Sequence, residues 1–146
     1  MKRVAIFLCA AVVAAFLLVS CGQTKSQTSP YGQEVKTDGG VYRQITPVEL
    51  KSMLEKKDFL LVNVHVPYDG EIAQTDVFLP YNEIQGQVSR LPSDKKAKIV
   101  VYCRSGSMSA IAAKALVNLG FTNVWDVKDG MLGWQNQGYD IFRKPQ

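Results

Sequence analysis

Two short and almost continuous apolar runs, Phe59-Leu60-Leu61-Val62-Asn63-Val64 and Ile99-Val100-Val101-Tyr102, constrain the fold of this chain more than any other feature. A strand with one wet face alternates apolar and polar residues. A run without alternation needs cover on both faces, the pattern of a parallel sheet held between helical layers. The intervening segments supply the helices. Thr46, Pro47 and Glu49 form a capping box with proline in the first helical position, ahead of Val48, Leu50, Met53 and Leu54 on the apolar side; Lys56-Lys57-Asp58 ends that helix. Segment 109–119 places Ile111, Ala112, Ala115, Leu116 and Leu119 at helical spacing, with Ser109 as N-cap and Gly120 positioned for a left-handed C-terminal cap. Segments 41–45, 77–79 and 123–127 are expected as strands, 82–91 as a helix begun by an asparagine cap, and 131–137 as a last short helix. Strand and helix alternate, so the expected class is α/β, three layers with a mostly parallel central sheet flanked by helices.

The first twenty residues differ from the rest. Met1-Lys2-Arg3 gives a positive start, and residues 4–19 are sixteen apolar residues in a row. A spanning helix needs about 20, so the run suits the core of a secretory signal better. Directly after it, Leu18-Val19-Ser20-Cys21-Gly22 resembles the lipobox of bacterial lipoproteins, in which cleavage before the cysteine leaves it as a lipid-modified N-terminus. The competing reading is an uncleaved signal anchor with Cys21 as a bystander. The resemblance implies a signal peptide over 1–20, a flexible tether over 21–40 with lipid (palmitate) on Cys21, and a folded domain over 41–146. It also implies an exported protein anchored to a bacterial membrane and facing the periplasm or the cell exterior.

Charge and cysteine content exclude other classes. Lys2 and Arg3 leave with the signal, which reduces the formal net charge from +4 to +2, and no basic run interleaved with aromatics is present. Lys95-Lys96-Ala97-Lys98 is expected as a solvated loop, and no nucleic-acid partner is expected. One histidine and three widely spaced cysteines, Cys9, Cys21 and Cys103, support neither a metal site nor a disulfide scaffold. Asp126 and Asp129 have no matching ligands and are expected in a solvated turn rather than a calcium site. Trp125 and Trp134 are expected as core or pocket wall.

The chemistry concentrates in Tyr102-Cys103-Arg104-Ser105-Gly106-Ser107-Met108-Ser109, which links the second apolar run to the clearest helix. Loops at the carboxyl ends of parallel strands carry function in such folds. A tight loop around a cysteine sulfur can turn backbone N–H groups inward, and the following helix adds its positive end. Gly106 permits the turn and Arg104 adds a fixed charge. These features favour a reactive thiolate at Cys103 over an inert core thiol.

The same residues resemble the rhodanese family of sulfurtransferases, whose loop runs Cys-Arg-Ser-Gly, any residue, Arg, Ser. Residues 103–109 match at every fixed point but one. The similarity extends over the chain from Leu60-Leu61-Val62-Asn63-Val64-His65, through Ala112-Ala113, to Asp129-Gly130-Met131-Leu132-Gly133-Trp134 and Gly138. Three departures stand out. Met108 occupies the place of the second arginine, Asn63 and His65 replace an Asp and an Arg, and Glu71-Ile72-Ala73-Gln74-Thr75-Asp76 replaces a Gly-His-Ile-Pro-Gly-Ala stretch. The first removes a cation, which disfavours the thiosulfate dianion and gives weight to a less charged persulfide or polysulfide donor.

The resemblance implies a ping-pong sulfurtransferase without metal or organic cofactor. Cys103 would take a sulfane sulfur from a small donor as a persulfide and pass it to a thiophilic acceptor such as cyanide or a thiol. The N–H groups of residues 104–109 would hold the persulfide anion, with Arg104, Ser105, Gly106, Ser107, Met108 and Ser109 forming the substrate site. His65 fits two roles, a donor-site ligand or proton donor, and a simple hydrogen-bonding residue at a loop entrance. A phosphatase or arsenate reductase would need an arginine where Ser109 stands, and a thioredoxin-type exchanger a second cysteine where Gly106 stands. The remaining alternative is a non-catalytic, lipid-anchored module that binds or senses sulfur species or a partner protein.

Overall fold

The computed structural model describes residues 30–144. The expected signal peptide, Cys21 and the first part of the expected tether lie outside the described residues.

Among the described residues, six strands and three α-helices follow one another: β1 Gln33–Thr37, β2 Gly40–Ile45, α1 Pro47–Leu54, β3 Leu60–Asn63, β4 Val77–Phe78, β5 Ile99–Tyr102, α2 Ser107–Asn118, β6 Val124–Val127 and α3 Gly130–Asn136. They form one sheet in the order β1-β2-β6-β5-β3-β4, antiparallel between β1 and β2 and parallel elsewhere. The two apolar runs are adjacent central strands, with Leu60 opposite Ile99 and Asn63 opposite Tyr102. Their lack of alternation follows from two separate cores. Val62, Val101 and Val124 pack with Ala112, Ala113 and Leu116 of α2 on one face. Leu61, Val100, Trp125 and Val127 pack with Leu50 and Met53 of α1 and Met131 and Trp134 of α3 on the other. Completely buried side chains such as Leu61 and Leu116 each contribute about 1.5–3 kcal/mol through the area they remove from water.

The capping box forms as expected. Glu49 N–H donates to Thr46 Oγ1 at 3.2 Å, and Thr46 N–H donates to Glu49 Oε2 at 2.7 Å. Helix α2 closes at Gly120, where the Phe121 N–H donates to the Leu116 carbonyl at 3.1 Å.

Four expectations are corrected. The ordered domain does not begin at 41, because the polar stretch assigned to the tether contains β1. This strand turns at Asp38–Gly39 and pairs with β2, an edge pairing in which Glu34 lies opposite Arg43 and binds its guanidinium at 2.9 Å. An edge strand with little burial needs few apolar residues, which is why composition alone suggested a linker. Segment 82–91 is a series of turns ending in a 3₁₀ turn, Val88–Arg90, rather than an α-helix; Gly86 sits mid-segment, where it weakens a helix. The buried stripe of α2 is Ser109, Ala112, Ala113, Leu116 and Val117, so Ile111 faces solvent. Val48 of α1 is likewise exposed. Among the described residues, no helix is long and apolar enough to cross a membrane.

Candidate active site

Cys103 is the first residue beyond β5. Continuing the alternation of Ile99 and Val101, its side chain enters the α2 face of the sheet and is only 1% exposed. The next three residues curl back so that the Gly106 N–H donates to Cys103 Sγ at 3.1 Å. Gly106 is the residue that caps α2, at a left-handed φ of +92°. A side chain there would be strained, and its Cβ would lie 3.2 Å from the Asp129 nitrogen. The sulfur therefore sits at the positive end of a twelve-residue helix, with one amide already aimed at it.

The loop is held from behind by α3. The N–H groups of Met131 and Leu132 donate to the Cys103 and Arg104 carbonyls, both at 2.9 Å. Gly130 makes this possible, since any Cβ at that position would overlap the Cys103 carbonyl oxygen. Two loop carbonyls thus point away from the sulfur and onto a helix N-terminus. The Asp129-Gly130-Met131 segment acts on the site through this backbone contact.

The other sequence-derived candidates divide between the loop and its surroundings. Arg104, Ser105 and Ser107 are exposed, and Met108 is half-buried against the core cluster that contains Cys103. Ser109 is corrected from its expected role. It lies inside α2 rather than capping it, is completely buried, and donates its hydroxyl to the Gly106 carbonyl at 3.1 Å. Asp126 is corrected as well. It is not in a solvated turn but buried in β6, with its Oδ2 accepting from Gln44 Nε2 at 3.1 Å. Burial pushes its carboxyl up, while the nearby Ser109 hydroxyl and the Gln44 amide pull it down. The Ser109 hydroxyl donates its proton to Gly106, and Asp126 Oδ1 is left without a hydrogen-bond donor. Trp125 and Trp134 are core residues, as expected; the Trp134 indole donates to the Asp140 carbonyl at 2.9 Å.

His65 follows the end of β3, where the Val64 N–H donates to the Tyr102 carbonyl at 2.9 Å, so it emerges beside the Cys103 loop. Its Nδ1 is buried without a partner. Burial pushes its pKa down; the Arg104 charge acts in the same direction and Asp69 opposes it. Asn63 organises this exit: its amide donates to the Gly70 carbonyl at 2.9 Å, and its oxygen accepts from the His65 N–H at 3.0 Å. Tyr102 supports the next segment, as its hydroxyl accepts from the Ile72 N–H at 3.0 Å and lies 2.7 Å from Thr75 Oγ1. Asp69 was not apparent from the sequence. Its carboxylate lies 3.6 Å from Arg104 Nε and 3.2 Å from an Arg143 nitrogen. An open groove of about 550 Å³ flanks the loop at Ser105, walled by Val48, Lys128 and Leu132, but Cys103 does not line it. Among the described residues, no cluster of His, Cys, Asp and Glu could hold a metal ion.

A deep cysteine on a glycine-dependent loop at the end of a central parallel strand, with an N–H on its sulfur, defines a class of single-cysteine α/β domains. Within that class the chain belongs to the rhodanese-like domain family, which matches residues 46–137. It is 32% identical over 93 residues to a protein of Allochromatium vinosum named sulfurtransferase, covering 61% of this chain and 83% of that one. It is 27% identical over 97 residues to the thiosulfate sulfurtransferase GlpE of Coxiella burnetii, covering 65% of this chain and 89% of that one. A crystal structure of a rhodanese-related protein from Thermoplasma volcanium superposes with a TM-score of 0.61 at 28% identity, covering 70% of this chain and 100% of that one.

Proposed function

We propose that the protein is a sulfurtransferase in which Cys103 carries the transferred sulfur. The observation that supports this most directly is the Gly106 N–H aimed at Cys103 Sγ from the start of α2, in a loop whose family includes proteins named sulfurtransferases. In the proposed first step the Cys103 thiolate attacks the sulfane sulfur of a donor. A new S–S bond forms, the donor's own bond to that sulfur breaks, and the leaving group departs with the electron pair, as sulfite from thiosulfate or as a thiolate from a persulfide. In the second step an acceptor attacks the outer sulfur of the Cys103 persulfide. The S–S bond breaks and the thiolate is regenerated, so neither step needs an outside oxidant or reductant. Amides of residues 104–109 stabilise the persulfide anion, with the Gly106 N–H already in place.

The donor we favour carries less charge than thiosulfate. Met108 packs against the core where the family pattern has a cation, and Arg104 is drawn towards Asp69. Steady-state assays with thiosulfate or the singly charged hydroxyethyl persulfide as donor and cyanide as acceptor test the reading. Parallel double-reciprocal lines, higher turnover with the persulfide, and complete loss in Cys103→Ser are expected. Thiocyanate formation that survives in Cys103→Ser would overturn it. The same missing cation favours a second reading, a module that binds sulfur species without turning them over. Binding with no thiocyanate from either donor would select that one.

We also propose that the domain is exported and anchored through lipid on Cys21, on the basis of the apolar run and the Leu18-Val19-Ser20-Cys21-Gly22 pattern. Cys21→Ser is expected to abolish lipid labelling and release the protein from membranes. Unchanged labelling would contradict the proposal.

A further inference from the structure

The chain leaving β3 and the chain leaving β5 run side by side at one end of the sheet, joined by the Val64 N–H to Tyr102 carbonyl bond. Asp69 lies four residues beyond His65 on the first, and Arg104 immediately follows Cys103 on the second. The Asp69 carboxylate is shared: Oδ2 is 3.6 Å from Arg104 Nε, and Oδ1 accepts from Arg143 at 3.2 Å. The residues on either side of Arg143 are tied to the segment that carries Asp69. Glu71 and Phe142 exchange backbone hydrogen bonds of 2.7 and 2.8 Å, the Lys144 ammonium binds Glu71 at 2.9 Å, and the Lys144 N–H donates to the Tyr68 hydroxyl at 3.3 Å. Gly70 is packed so closely that a Cβ there would lie 2.6 Å from Ile141 Cγ2. One carboxylate thereby lies between two arginines, one of which directly follows Cys103 in the loop.

Resting on the sulfurtransferase reading, we propose that Asp69 is a specificity-determining residue that sets the charge of the accepted donor by offsetting the cation of Arg104, and that Arg143 tunes how fully it does so. A dianion such as thiosulfate gains from every unpaired cation at the rim, whereas a donor with a single charge gains less. His65 does not restore the missing charge, because burial, helped by Arg104 and opposed by Asp69, favours its neutral form. The device is electrostatic and exposed, with Arg104 and Asp69 side chains 56% and 46% accessible, so salt weakens it.

The test compares kcat/KM for thiosulfate and for hydroxyethyl persulfide, with cyanide as acceptor, in the purified full-length chain and in Asp69→Asn and Arg143→Gln. Asp69→Asn leaves two arginines without their carboxylate, and the thiosulfate-to-persulfide ratio is expected to rise by about threefold, in keeping with one exposed ion pair. Arg143→Gln leaves Asp69 to Arg104 alone, and the ratio is expected to fall. Both shifts should vanish in about 1 M salt, where the screening length is about 3 Å. A ratio unmoved in Asp69→Asn, or moved equally in high salt, overturns the inference while leaving the sulfurtransferase reading intact. If the unsubstituted protein transfers sulfur from neither donor, that reading fails and this inference falls with it.

Discussion

The Cys103 loop and the rim that faces it are built from different materials. The loop is backbone: the Gly106 amide on the sulfur, two carbonyls tied to α3, and a glycine at 130 that lets the helix approach. The rim is exposed side-chain charge: Asp69 between Arg104 and Arg143, and Glu71 against Lys144. Buried backbone contacts fix positions closely and are costly to disturb, whereas exposed ion pairs contribute little to stability and act mainly as fields. The loop is therefore the place for chemistry that tolerates no displacement, and the rim the place for selection that can be tuned.

Gly130→Ala tests the rigid side most severely. Its Cβ would overlap the Cys103 carbonyl, at a φ of +51° that already disfavours a side chain. A loss of about 3 kcal/mol or more in urea unfolding is expected, together with loss of sulfur transfer. Unaltered stability would mean that α3 does not brace the loop. Tyr102→Phe tests the link between the two regions, since it strands the buried Ile72 N–H and removes one of the two partners of the Thr75 hydroxyl. A cost of about 1–3 kcal/mol is expected, and a neutral result would show that the hydroxyl does not hold the rim.

Asp126 gives a smaller effect with a defined sign. Burial raises its carboxyl in the folded state, so as pH climbs the unfolded chain releases that proton first. This residue's contribution to stability therefore falls from the ordinary carboxylate range upward, until the folded carboxyl has also ionised. Asp126→Asn lacks that slope. Between about pH 7 and about pH 4 the stability of the unsubstituted protein should rise relative to the variant. A difference that does not change with pH would contradict the stated cause. Lys144→Ala should do least, leaving urea unfolding close to that of the unsubstituted protein, because the ammonium is exposed; a clear loss of stability would show that the Lys144–Glu71 pair supports the fold.

Much of this division was legible in the sequence. The unalternating runs at 59–64 and 99–102 are the central strands, the Thr46 capping box forms, and Cys103 sits where strand meets helix. What was not legible depends on partners distant in the chain. Ile111 satisfies helical periodicity as well as Ala113 does, and only packing against the sheet selects the stripe of Ser109, Ala112, Ala113, Leu116 and Val117. Asp126 next to Asp129 resembles a turn until β6 is inserted between β2 and β5. The β1 hairpin left one signal, Asp38–Gly39, a dipeptide common in tight turns, flanked by residues able to form an edge. Asp69 left none, because its role depends on Arg104 and Arg143, which approach it from two other segments.

Intact-mass measurement after brief exposure to a sulfane-sulfur donor tests the central claim most directly. The unsubstituted protein is expected to gain one sulfur atom that cyanide removes, and Cys103→Ser to gain none. A sulfur adduct of equal size on Cys103→Ser, or no adduct on the unsubstituted protein with either thiosulfate or a persulfide, would contradict it.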